Sequence, residues 1–314
     1  MHVLLVGGSG FLGGRIVRAL LARPGSRVRI LTPEEPRAQW KERPGVEILR
    51  ADVREPESVQ GSCDGISHVI YLAGLNQVAC EARPVEAVAV SGLGALHLAE
   101  EAARSGVQRF IYVSSFHVYG SVNAERLTEE LAVHPRNHYG LSRRVGEMYC
   151  SLVAERRGLS VVILRLSNGY GAPADEQADC WSLVVNDLCR QAIREGRLVL
   201  RSSGRQERDF IAMRDILAGM QLFLNAPAAS LGQQVFNLGS GESVSVLTVA
   251  ERIRATFAER FGKELPLQTG GDPAEGRPFH FDIRRARALG FEPRGDMAEE
   301  IRELFSACGR PNAS

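Results

Sequence analysis

Three glycines near the start of this chain have a spacing that could bind phosphate groups. Gly7, Gly10 and Gly13 follow the apolar run 3–6 and precede a segment, 11–22, with the apolar periodicity of a helix. One glycine permits a tight turn, a second lets the backbone approach a pyrophosphate, and a third lets the helix pack against the strand. The phosphates would lie at the positive N-terminus of that helix. The spacing is GxxGxxG rather than GxGxxG, but its place between strand and helix predicts a dinucleotide-binding turn rather than a plain connection.

The residues after the second and third predicted strands leave the form of the dinucleotide open. The second strand ends at Thr32, and no carboxylate stands where an acidic residue often binds the adenosine ribose. Without that negative charge a 2′-phosphate is not repelled, so NAD and NADP both fit the sequence. Arg37 could pair with such a phosphate or simply lie at the surface. Asp52, after the third strand, could bind the adenine amino group or cap the following helix.

Short apolar runs alternate with helical patterns through the first half of the chain. Strands are predicted at 2–6, 27–31, 46–49, 67–72, 109–113 and 160–165. Helices are predicted between them, near 11–22, 55–62, 84–105 and 139–157. This alternation predicts βαβ units and an α/β fold with a Rossmann-type, doubly wound parallel sheet. The continuous apolar strands suit a sheet that is covered on both faces.

The pattern changes after about residue 170. Further helices are predicted near 181–195, 213–225, 245–262 and 296–306, with strands at 198–200 and 234–238. We predict an NAD(P)-binding domain over residues 1–170, to which 213–240 returns, and a smaller C-terminal substrate-binding lobe over 171–212 and 241–314.

The composition excludes several classes of partner. The chain has 38 basic and 37 acidic side chains, a balance that argues against nucleic-acid and membrane-surface binding. No apolar run approaches the length of a membrane span, so we expect a cytoplasmic protein. None of the six cysteines forms a CxxC pair, and the histidines have no spacing that suggests a metal site. We therefore expect no bound metal.

Motifs over nearly the whole chain resemble those of the extended short-chain dehydrogenase/reductase family. Its members are the NAD(P)-dependent epimerases and dehydratases of nucleotide sugars. The matching segments, in family order, are Gly7–Gly13, Asp52–Val53, Tyr71–Gly74, Val113–Gly120, Tyr139–Arg143, Leu164–Gly171, Arg208–Ile211, Phe236–Gly241 and Arg277–Pro278. Together they are specific for the family but not for one reaction. With the glycine turn, the resemblance implies cofactor contacts from Gly7, Gly10, Phe11, Leu12, Gly13, Thr32, Asp52, Val53, Leu72, Ala73, Gly74, Tyr139 and Arg143.

The resemblance also implies catalytic roles for Ser115, Tyr139 and Arg143. Tyr139 would be the acid/base and Ser115 would bind the reacting oxygen. A free tyrosine has a pKa of about 10, and a fixed cation nearby lowers it toward neutrality. That cation is a lysine in the family motif YxxxK, whereas this chain has Arg143, which preserves the charge on a bulkier, planar group. Ser91 is a second departure, because the family often has asparagine there.

The residues after Ser115 bear on the reaction. The 4,6-dehydratases of the family carry Asp-Glu where this chain has Phe116 and His117, so a 4,6-dehydratase is not expected. A 4-epimerase or a 4-ketoreductase of a nucleotide sugar remains. His117 could contact substrate, act as a second proton donor near neutral pH, or only pack.

The resemblance places a diphosphate site at Asn168, Arg208 and Arg277. Arginine suits phosphate because its fork donates two parallel hydrogen bonds. A surface ion pair, such as Arg208 with Asp209, is the plainer interpretation. Leu183 and Asn186 could line the pocket for the nucleotide base.

Two further hypotheses stay open at this point. The protein could reduce a carbonyl that is not part of a sugar, or it could be a catalytically weak NAD(P)-binding sensor or scaffold because Arg143 replaces lysine. In the family, the helices that correspond to 84–105 and 139–157 pair across a homodimer, so we expect a homodimer here.

Overall fold

Seven strands rich in apolar residues form one central sheet. The computed structural model describes residues 1–35, 37–120, 125–175, 177–231, 235–271 and 279–309. In sheet order the strands are β11 (Val235–Leu238), β7 (Val161–Leu166), β5 (Arg109–Ser115), β4 (His68–Tyr71), β1 (His2–Val6), β2 (Arg27–Thr32) and β3 (Val46–Arg50). The ladders that join β7, β5, β4, β1, β2 and β3 are all parallel. This sheet confirms the predicted α/β, Rossmann-type class.

Both faces of the sheet are buried, as its apolar strands require. Leu4 of β1 pairs with Val69 of β4, and both are 0% exposed. On the same side of the core, the rings of Tyr71 and Tyr112 stack with their centroids 5.7 Å apart. Helices provide the covering layers. The helices of the described residues are α1 (Phe11–Leu21), α2 (Ala38–Lys41), α3 (Gln77–Ala82), α4 (Pro84–Val88), α5 (Gly94–Arg104), α6 (His138–Arg157), α7 (Val184–Glu195), α8 (Met213–Asn225), α9 (Val246–Phe261), α10 (Arg284–Ala288) and α11 (Met297–Cys308).

The strand order reverses direction between β1 and β4. From β1 the chain first moves outward through β2 to β3, and then crosses back to β4 on the other side of β1. In an open α/β sheet, ligands bind beyond the carboxyl ends of the strands at such a reversal. The residues at those two ends are Gly7 and Leu72.

The predicted helix at 55–62 is wrong. The structure has only one 3-10 turn there, Pro56–Val59. Gly61, two residues after this turn, has a φ of +72°, a left-handed conformation that a helix does not contain. The chain therefore turns away before a longer helix can form.

The predicted helix at 84–105 is present, but it is not one regular α-helix. Its α4 and α5 segments are joined by a turn of π-helix, Ala89–Leu93. The widened turn releases backbone carbonyls from the helical pattern, and two buried phenols bind them. The Tyr71 hydroxyl donates to the Val90 carbonyl at 2.6 Å, and the Tyr112 hydroxyl donates to the Ser91 carbonyl at 2.9 Å.

Contacts divide the chain into two compact units. The first consists of Met1–Ser121, Glu129–Leu166 and Met220–Asn237, and it contains β1–β5, β7 and α1–α6. The second consists of Val122–Thr128, Ser167–Gly219 and Leu238–Ser314.

The second unit has its own sheets and its own core. Its larger sheet has the order β12 (Ser243–Ser245), β10 (Glu207–Ala212), β8 (Asn168–Tyr170). Two smaller sheets pair β13 (Leu267–Thr269) with β9 (Leu198–Leu200), and β14 (His280–Phe281) with β6 (Arg126–Leu127). A second hydrophobic cluster joins α7, α9 and α11, with Phe257 and Phe305 in edge-to-face contact at 5.8 Å.

The cysteines are core residues. All six are buried and unpaired. Burial raises the pKa of the Cys63 thiol to about 12, so this group stays protonated near neutral pH. In the described part of the chain, no helix is both long enough and apolar enough to span a bilayer.

Candidate active site

The glycine turn after β1 is sterically compatible only with glycine at two of its three motif positions. Gly7 has a φ of +88°, and a Cβ there would lie 3.1 Å from the Ala73 nitrogen. A Cβ on Gly13 would collide with the Gly7 carbonyl oxygen and lie 2.7 Å from the Gly8 Cα. Gly10 differs, because its Cβ would meet only the Gly7 oxygen at an ordinary 3.4 Å. Gly10 is therefore open on the side that a ligand would approach.

The start of α1 presents backbone donors that a dinucleotide phosphate could use. Gly10 is the N-cap residue, and among the described residues no side chain caps this helix. Its first turn contains no acidic side chain. The first N–H groups of a helix lack partners within the helix and carry a partial positive charge. Phe11, Leu12 and Gly13 supply these groups, so the turn fits a pyrophosphate.

The remaining adenosine-side candidates lie at the ends of β2 and β3. Thr32 is 5% exposed, and its hydroxyl accepts from the Glu34 nitrogen at 3.3 Å. Both carboxylate oxygens of Asp52 bind the Arg54 guanidinium, which holds the pKa of Asp52 below its usual value. The next residue, Val53, has its carbonyl oxygen 2.9 Å from Nδ1 of His97.

Arg143 on α6 binds the carboxyl ends of two strands. Its Nη1 donates to the Ala73 carbonyl at 3.0 Å and to the Val113 carbonyl at 3.2 Å. Its Nη2 donates to the Leu72 carbonyl at 3.3 Å. The side chain is only 7% exposed. A Cβ on Gly74 would lie 2.7 Å from the guanidinium carbon, so the absence of a side chain there makes room for the arginine.

The guanidinium stays charged in this buried position. Burial alone would lower the pKa of Arg143, but the neighbouring phenols of Tyr139, Tyr112 and Tyr71 more than offset it, and the pKa lies above its usual value. The guanidinium carbon lies 5.5 Å from the centroid of the Tyr139 ring. A fixed cation therefore lies beside Tyr139, as the predicted acid/base chemistry requires.

Ser115, His117 and Tyr139 form one cluster. Ser115 ends β5 and is 6% exposed, and its Oγ lies 3.0 Å from Nδ1 of His117. The Ser115 Oγ also accepts from the His117 backbone nitrogen at 3.3 Å, capping the 3-10 turn Phe116–Tyr119. The His117 ring meets the Tyr139 ring edge-on, with centroids 5.3 Å apart. The structure thus brings together Ser115, Tyr139 and Arg143, with His117 as an additional member.

A buried ionic network that the sequence analysis missed lies behind this cluster. Glu147 is 0% exposed and accepts from the Ser114 hydroxyl at 2.6 Å. Nε and Nη2 of Arg165 donate to its two oxygens at 3.0 and 2.9 Å. Nη1 of Arg144 donates at 2.9 Å as well. The network ties α6 to β5 and β7, and the helical spacing of Arg144 and Glu147 was the one signal for it in the sequence.

The substrate candidates Asn168 and Arg208 both lie in the second unit. Nδ2 of Asn168 donates to the Asp209 carbonyl at 2.8 Å, across β8 and β10. The carboxylate of Asp209 accepts from Ser167, Ser240 and Gly241, and no ion pair joins it to Arg208. Burial lowers the pKa of Arg208. A half-buried guanidinium of this kind suits an anionic ligand.

Two other candidates have different outcomes. Asn186 is 0% exposed and bonds both the nitrogen and the carbonyl oxygen of Gly171, at 3.2 and 3.1 Å. It secures the loop after β8 rather than lining a pocket. Arg277 lies outside the described residues.

Comparisons with known proteins identify relatives over nearly the whole chain. A model of the NAD dependent epimerase/dehydratase family matches residues 3–239. The UDP-glucose 4-epimerase of Thermus thermophilus, solved in complex with NAD, is 27% identical, with a TM-score of 0.80 over 98% of this chain and 99% of that one. The UDP-glucose 4-epimerase of Thermotoga maritima, solved with UDP-glucose, has the same fold, with a TM-score of 0.83 at 23% identity over 98% of each chain.

A curated relative carries out a different reaction. UDP-glucuronic acid decarboxylase 6 of Arabidopsis thaliana is 26% identical over 314 residues, which cover 96% of this chain and 87% of the relative. The comparisons thus confirm the predicted family, the fold and an NAD-type cofactor, while its relatives catalyse more than one reaction.

Proposed function

The chain belongs to the NAD dependent epimerase/dehydratase family, and from this premise we propose that it is a nucleotide-sugar 4-epimerase. A 4-ketoreductase that acts on the same class of substrate would carry out only the reduction half of this reaction. The observation that carries the proposal is the position of Tyr139, with the Arg143 guanidinium carbon 5.5 Å from its ring centroid and His117 at its edge.

Each member of this cluster has a defined task in the proposal. Tyr139 takes the proton of the C4 hydroxyl and later returns it. Arg143 holds a fixed positive charge beside the phenol and would attract the negative charge that this exchange places on its oxygen. The Ser115 hydroxyl binds the reacting oxygen. A nicotinamide dinucleotide held at the glycine turn would supply the hydride exchange at C4.

The same residues disfavour a 4,6-dehydratase. Elimination of water would use a carboxylate pair directly after Ser115, where this chain has Phe116 and His117. The two rings pack against each other with centroids 4.2 Å apart. An aromatic pair cannot supply a general acid and a general base of carboxylate type.

We assign the cofactor and substrate contacts in line with this chemistry. Gly7 and Gly10, with the N–H groups of Phe11, Leu12 and Gly13, bind the pyrophosphate of NAD or NADP. Thr32, Asp52, Val53 and the Leu72–Gly74 segment line the rest of the dinucleotide. Asn168, Arg208 and Arg277 bind the diphosphate of the sugar nucleotide, because Arg208 is a half-buried cation without an ion pair in the described chain.

We also assign a homodimer, on the basis of an apolar face on the first unit. Its exposed side chains include Val85 at 83%, Met148 at 58% and Leu141 at 45%. They line α4 and α6, where an apolar hollow of about 390 Å³ lies beside Pro84. Such a surface on a single unit indicates an interaction site. A Met148→Glu variant that stays dimeric in light scattering would contradict this assignment.

One experiment decides between the proposed reactions. The purified protein is denatured, and the mass of any released dinucleotide identifies NAD or NADP. UDP-glucose and its C4 epimer are then incubated separately with the native enzyme, and the sugar products are resolved by NMR. Interconversion without added reduced cofactor supports the 4-epimerase. Conversion of a 4-keto sugar nucleotide only with added NADH or NADPH would favour the ketoreductase.

Two outcomes would overturn the proposal. Release of carbon dioxide from UDP-glucuronic acid, with no C4 epimer formed, would make the protein a decarboxylase. A protein that retains dinucleotide but converts no sugar nucleotide would be a reductase of another carbonyl or a cofactor-binding sensor.

A further inference from the structure

The carboxylate of Asp209 is buried and is held by hydroxyl and backbone donors. The residue is 1% exposed. Its Oδ1 accepts from the Ser167 hydroxyl at 2.5 Å and from the Ser240 nitrogen at 2.9 Å. Its Oδ2 accepts from the Ser240 hydroxyl at 2.9 Å and from the Gly241 nitrogen at 2.7 Å. All of these residues belong to the second unit, so the carboxylate is an internal contact of that unit.

These bonds join three segments that are far apart in the sequence. Ser167 precedes β8, Asp209 lies in β10, and Ser240 and Gly241 form the loop before β12. Successive backbone N–H groups in a turn can surround an anion, and here the Asp209 carboxylate fills that position. A Cβ on Gly239 would lie 2.8 Å from Oδ1, so the loop fits closely over the carboxylate. Asp209 therefore fixes this loop and the start of β8 relative to β10.

The two substrate candidates lie next to these bonds. Asn168 follows Ser167, and Arg208 precedes Asp209. The parallel ladder of β8 and β10 begins where Asn168 pairs with Phe210. The bond from Ser167 to the Asp209 carboxylate lies one position earlier, and Nδ2 of Asn168 adds a bond to the Asp209 carbonyl at 2.8 Å. Side chains thus secure the end of the ladder that carries Asn168 and Arg208.

The Asp209 carboxylate does not neutralise the neighbouring Arg208. Consecutive side chains of a strand point to opposite faces of a sheet, so the two charged groups point away from each other. Burial lowers the pKa of Arg208, and no carboxylate of the described residues pairs with its guanidinium. The guanidinium therefore keeps its donors for an anionic ligand.

We propose that Asp209 is a positioning residue for the nucleotide diphosphate, because its carboxylate fixes the strand ends that carry Asn168 and Arg208 before the ligand binds. This inference rests on the proposed function, which assigns those two side chains to the diphosphate. A site that is already ordered loses less conformational entropy when its ligand binds. The affinity for a nucleoside diphosphate thus depends on Asp209, although the donors of its carboxylate come from the protein.

The first test needs no ligand. Amide hydrogen exchange is compared in the wild type and in Asp209→Asn, whose amide group replaces an acceptor by a donor. Exchange in β8 and β10 should become about tenfold faster, the effect of roughly one lost net hydrogen bond. Asp215→Asn is the matched control, because Asp215 is 5% exposed and its carboxylate accepts from the nitrogens of Arg294 and Gly295 at 2.8 Å each. Equal exchange in the wild type and Asp209→Asn would overturn the inference.

The second test is calorimetry with UDP and, separately, with NAD. We expect Asp209→Asn to raise the Kd for UDP by about tenfold and to leave the Kd for NAD unchanged, because the glycine turn belongs to the first unit. The KM for the sugar nucleotide should rise with this Kd while kcat stays within about twofold, as expected when only binding is weakened. Asp215→Asn should match the wild type in each measurement. Equal rises of the UDP Kd in both variants would indicate a general loosening of the second unit and would contradict the proposal.

Ser167→Ala is a milder variant that leaves the carboxylate in place. It removes only the hydroxyl that donates to Oδ1, and the Kd for UDP should rise by about threefold. If Asp209→Asn does not fold, an unchanged Kd in Ser167→Ala refutes the inference.

The same titrations separate this inference from the proposed function. If Arg208→Ala weakens the binding of UDP while Asp209→Asn binds it as the wild type does, the inference is wrong and the diphosphate assignment stands. If the wild type does not bind UDP, the diphosphate assignment and the inference are both wrong.

Discussion

The guanidinium of Arg143 stands beside the Tyr139 ring at 5.5 Å while its own hydrogens bind the backbone. Its donors go to the carbonyls of Leu72, Ala73 and Val113, at the ends of β4 and β5. Arg143 thus has two roles. It places a fixed positive charge beside the phenol, and its hydrogen bonds connect the ends of two strands. A lysine ammonium has no planar fork and cannot replace both tasks equally.

Replacing Tyr139 by phenylalanine removes the acid/base but keeps the ring. We expect Tyr139→Phe to lower kcat by about 10²–10⁴-fold, the usual contribution of general acid–base catalysis. Retention of the dinucleotide should not change, because the phosphates bind at Gly7–Gly13. Steady-state kinetics and the absorbance of bound cofactor measure the two effects. Tyr149→Phe, on the same helix, is the matched control, and equal losses in both variants would mean that the helix rather than the phenol is responsible.

Arg143→Lys separates the effect of the positive charge from the effect of the hydrogen bonds to the strand-end carbonyls. Lysine preserves the cation near Tyr139 but leaves part of the set of strand-end carbonyls unsatisfied. Each buried polar group that loses its partner costs about 1–3 kcal/mol, so we expect a lower thermal midpoint with activity largely kept. Differential scanning fluorimetry measures the thermal midpoint, and steady-state kinetics measure kcat. Arg143→Met, which loses the charge as well, should also lower kcat.

The opposite result for Arg143→Lys would be equally informative. If the wild type is inactive and the lysine variant gains activity without loss of stability, Arg143 has made the protein a cofactor-binding sensor. Arg157→Lys is the control, because Arg157 is 61% exposed and pairs with Glu100 on the surface.

Gly10→Ala tests the phosphate site without straining the turn. Gly10 has a φ of −78°, and a Cβ there meets only the Gly7 oxygen at 3.4 Å. The free energy of unfolding should fall by no more than about 1 kcal/mol, because alanine is a poorer N-cap than glycine, while the methyl group occupies the approach of the pyrophosphate. We expect the Kd for the dinucleotide, measured by calorimetry, to rise at least about tenfold, or roughly 1.4 kcal/mol. Gly271→Ala, where a Cβ meets nothing within 4 Å, is the control. An unchanged Kd would place the phosphates elsewhere.

Local patterns in the sequence were sufficient for the turn, the strands and the start of α6. Gly7–Gly13 and the apolar run before it form a continuous signal, and Asn137, whose side chain accepts from the Gly140 nitrogen at 2.7 Å, starts the helix that carries Tyr139. These features depend on residues within a few positions of one another, which is why periodicity and spacing are enough to predict them.

Features made by residues far apart in the chain were not predictable. The π-turn at Ala89–Leu93 depends on hydroxyls of Tyr71 and Tyr112, which reach it from two different strands. No spacing of residues in the sequence predicts the contacts of Arg143 with the strand-end carbonyls. The contact of His117 with Ser115 could have been anticipated as an i, i+2 pair at a strand end. Its geometry, however, depends on the 3-10 turn that follows the strand, which only the structure shows.

Glu147→Gln tests the buried network behind the site. Glu147 and Arg165 are 0% and 3% exposed, so removal of the carboxylate charge leaves a buried guanidinium unpaired. We expect a loss of about 3–5 kcal/mol in the free energy of unfolding, measured by urea denaturation. Glu100→Gln removes an exposed partner of Arg157 and should cost no more than about 1 kcal/mol. Equal, small losses in both variants would show that the network contributes little to the stability of the first unit.

The pH dependence of stability has a source at the other end of the sheet, at His68. This side chain is 9% exposed, and burial, followed by the charge of Arg109, lowers its pKa below the ordinary 6.5. Above pH 6.5 the imidazole is neutral in both the folded and unfolded chain, so it does not affect stability. As the pH falls below 6.5 the unfolded chain takes up the proton first, and stability is lost until the lower, folded-state pKa is passed. The loss amounts to about 1.4 kcal/mol for each pH unit between the two pKa values. Urea unfolding from pH 7.5 to 5 should therefore show His68→Gln losing less stability on the acid side than the wild type, while His134→Asn follows the wild type. Parallel curves for His68→Gln and the wild type would mean that His68 takes up its proton equally well in the folded and the unfolded chain.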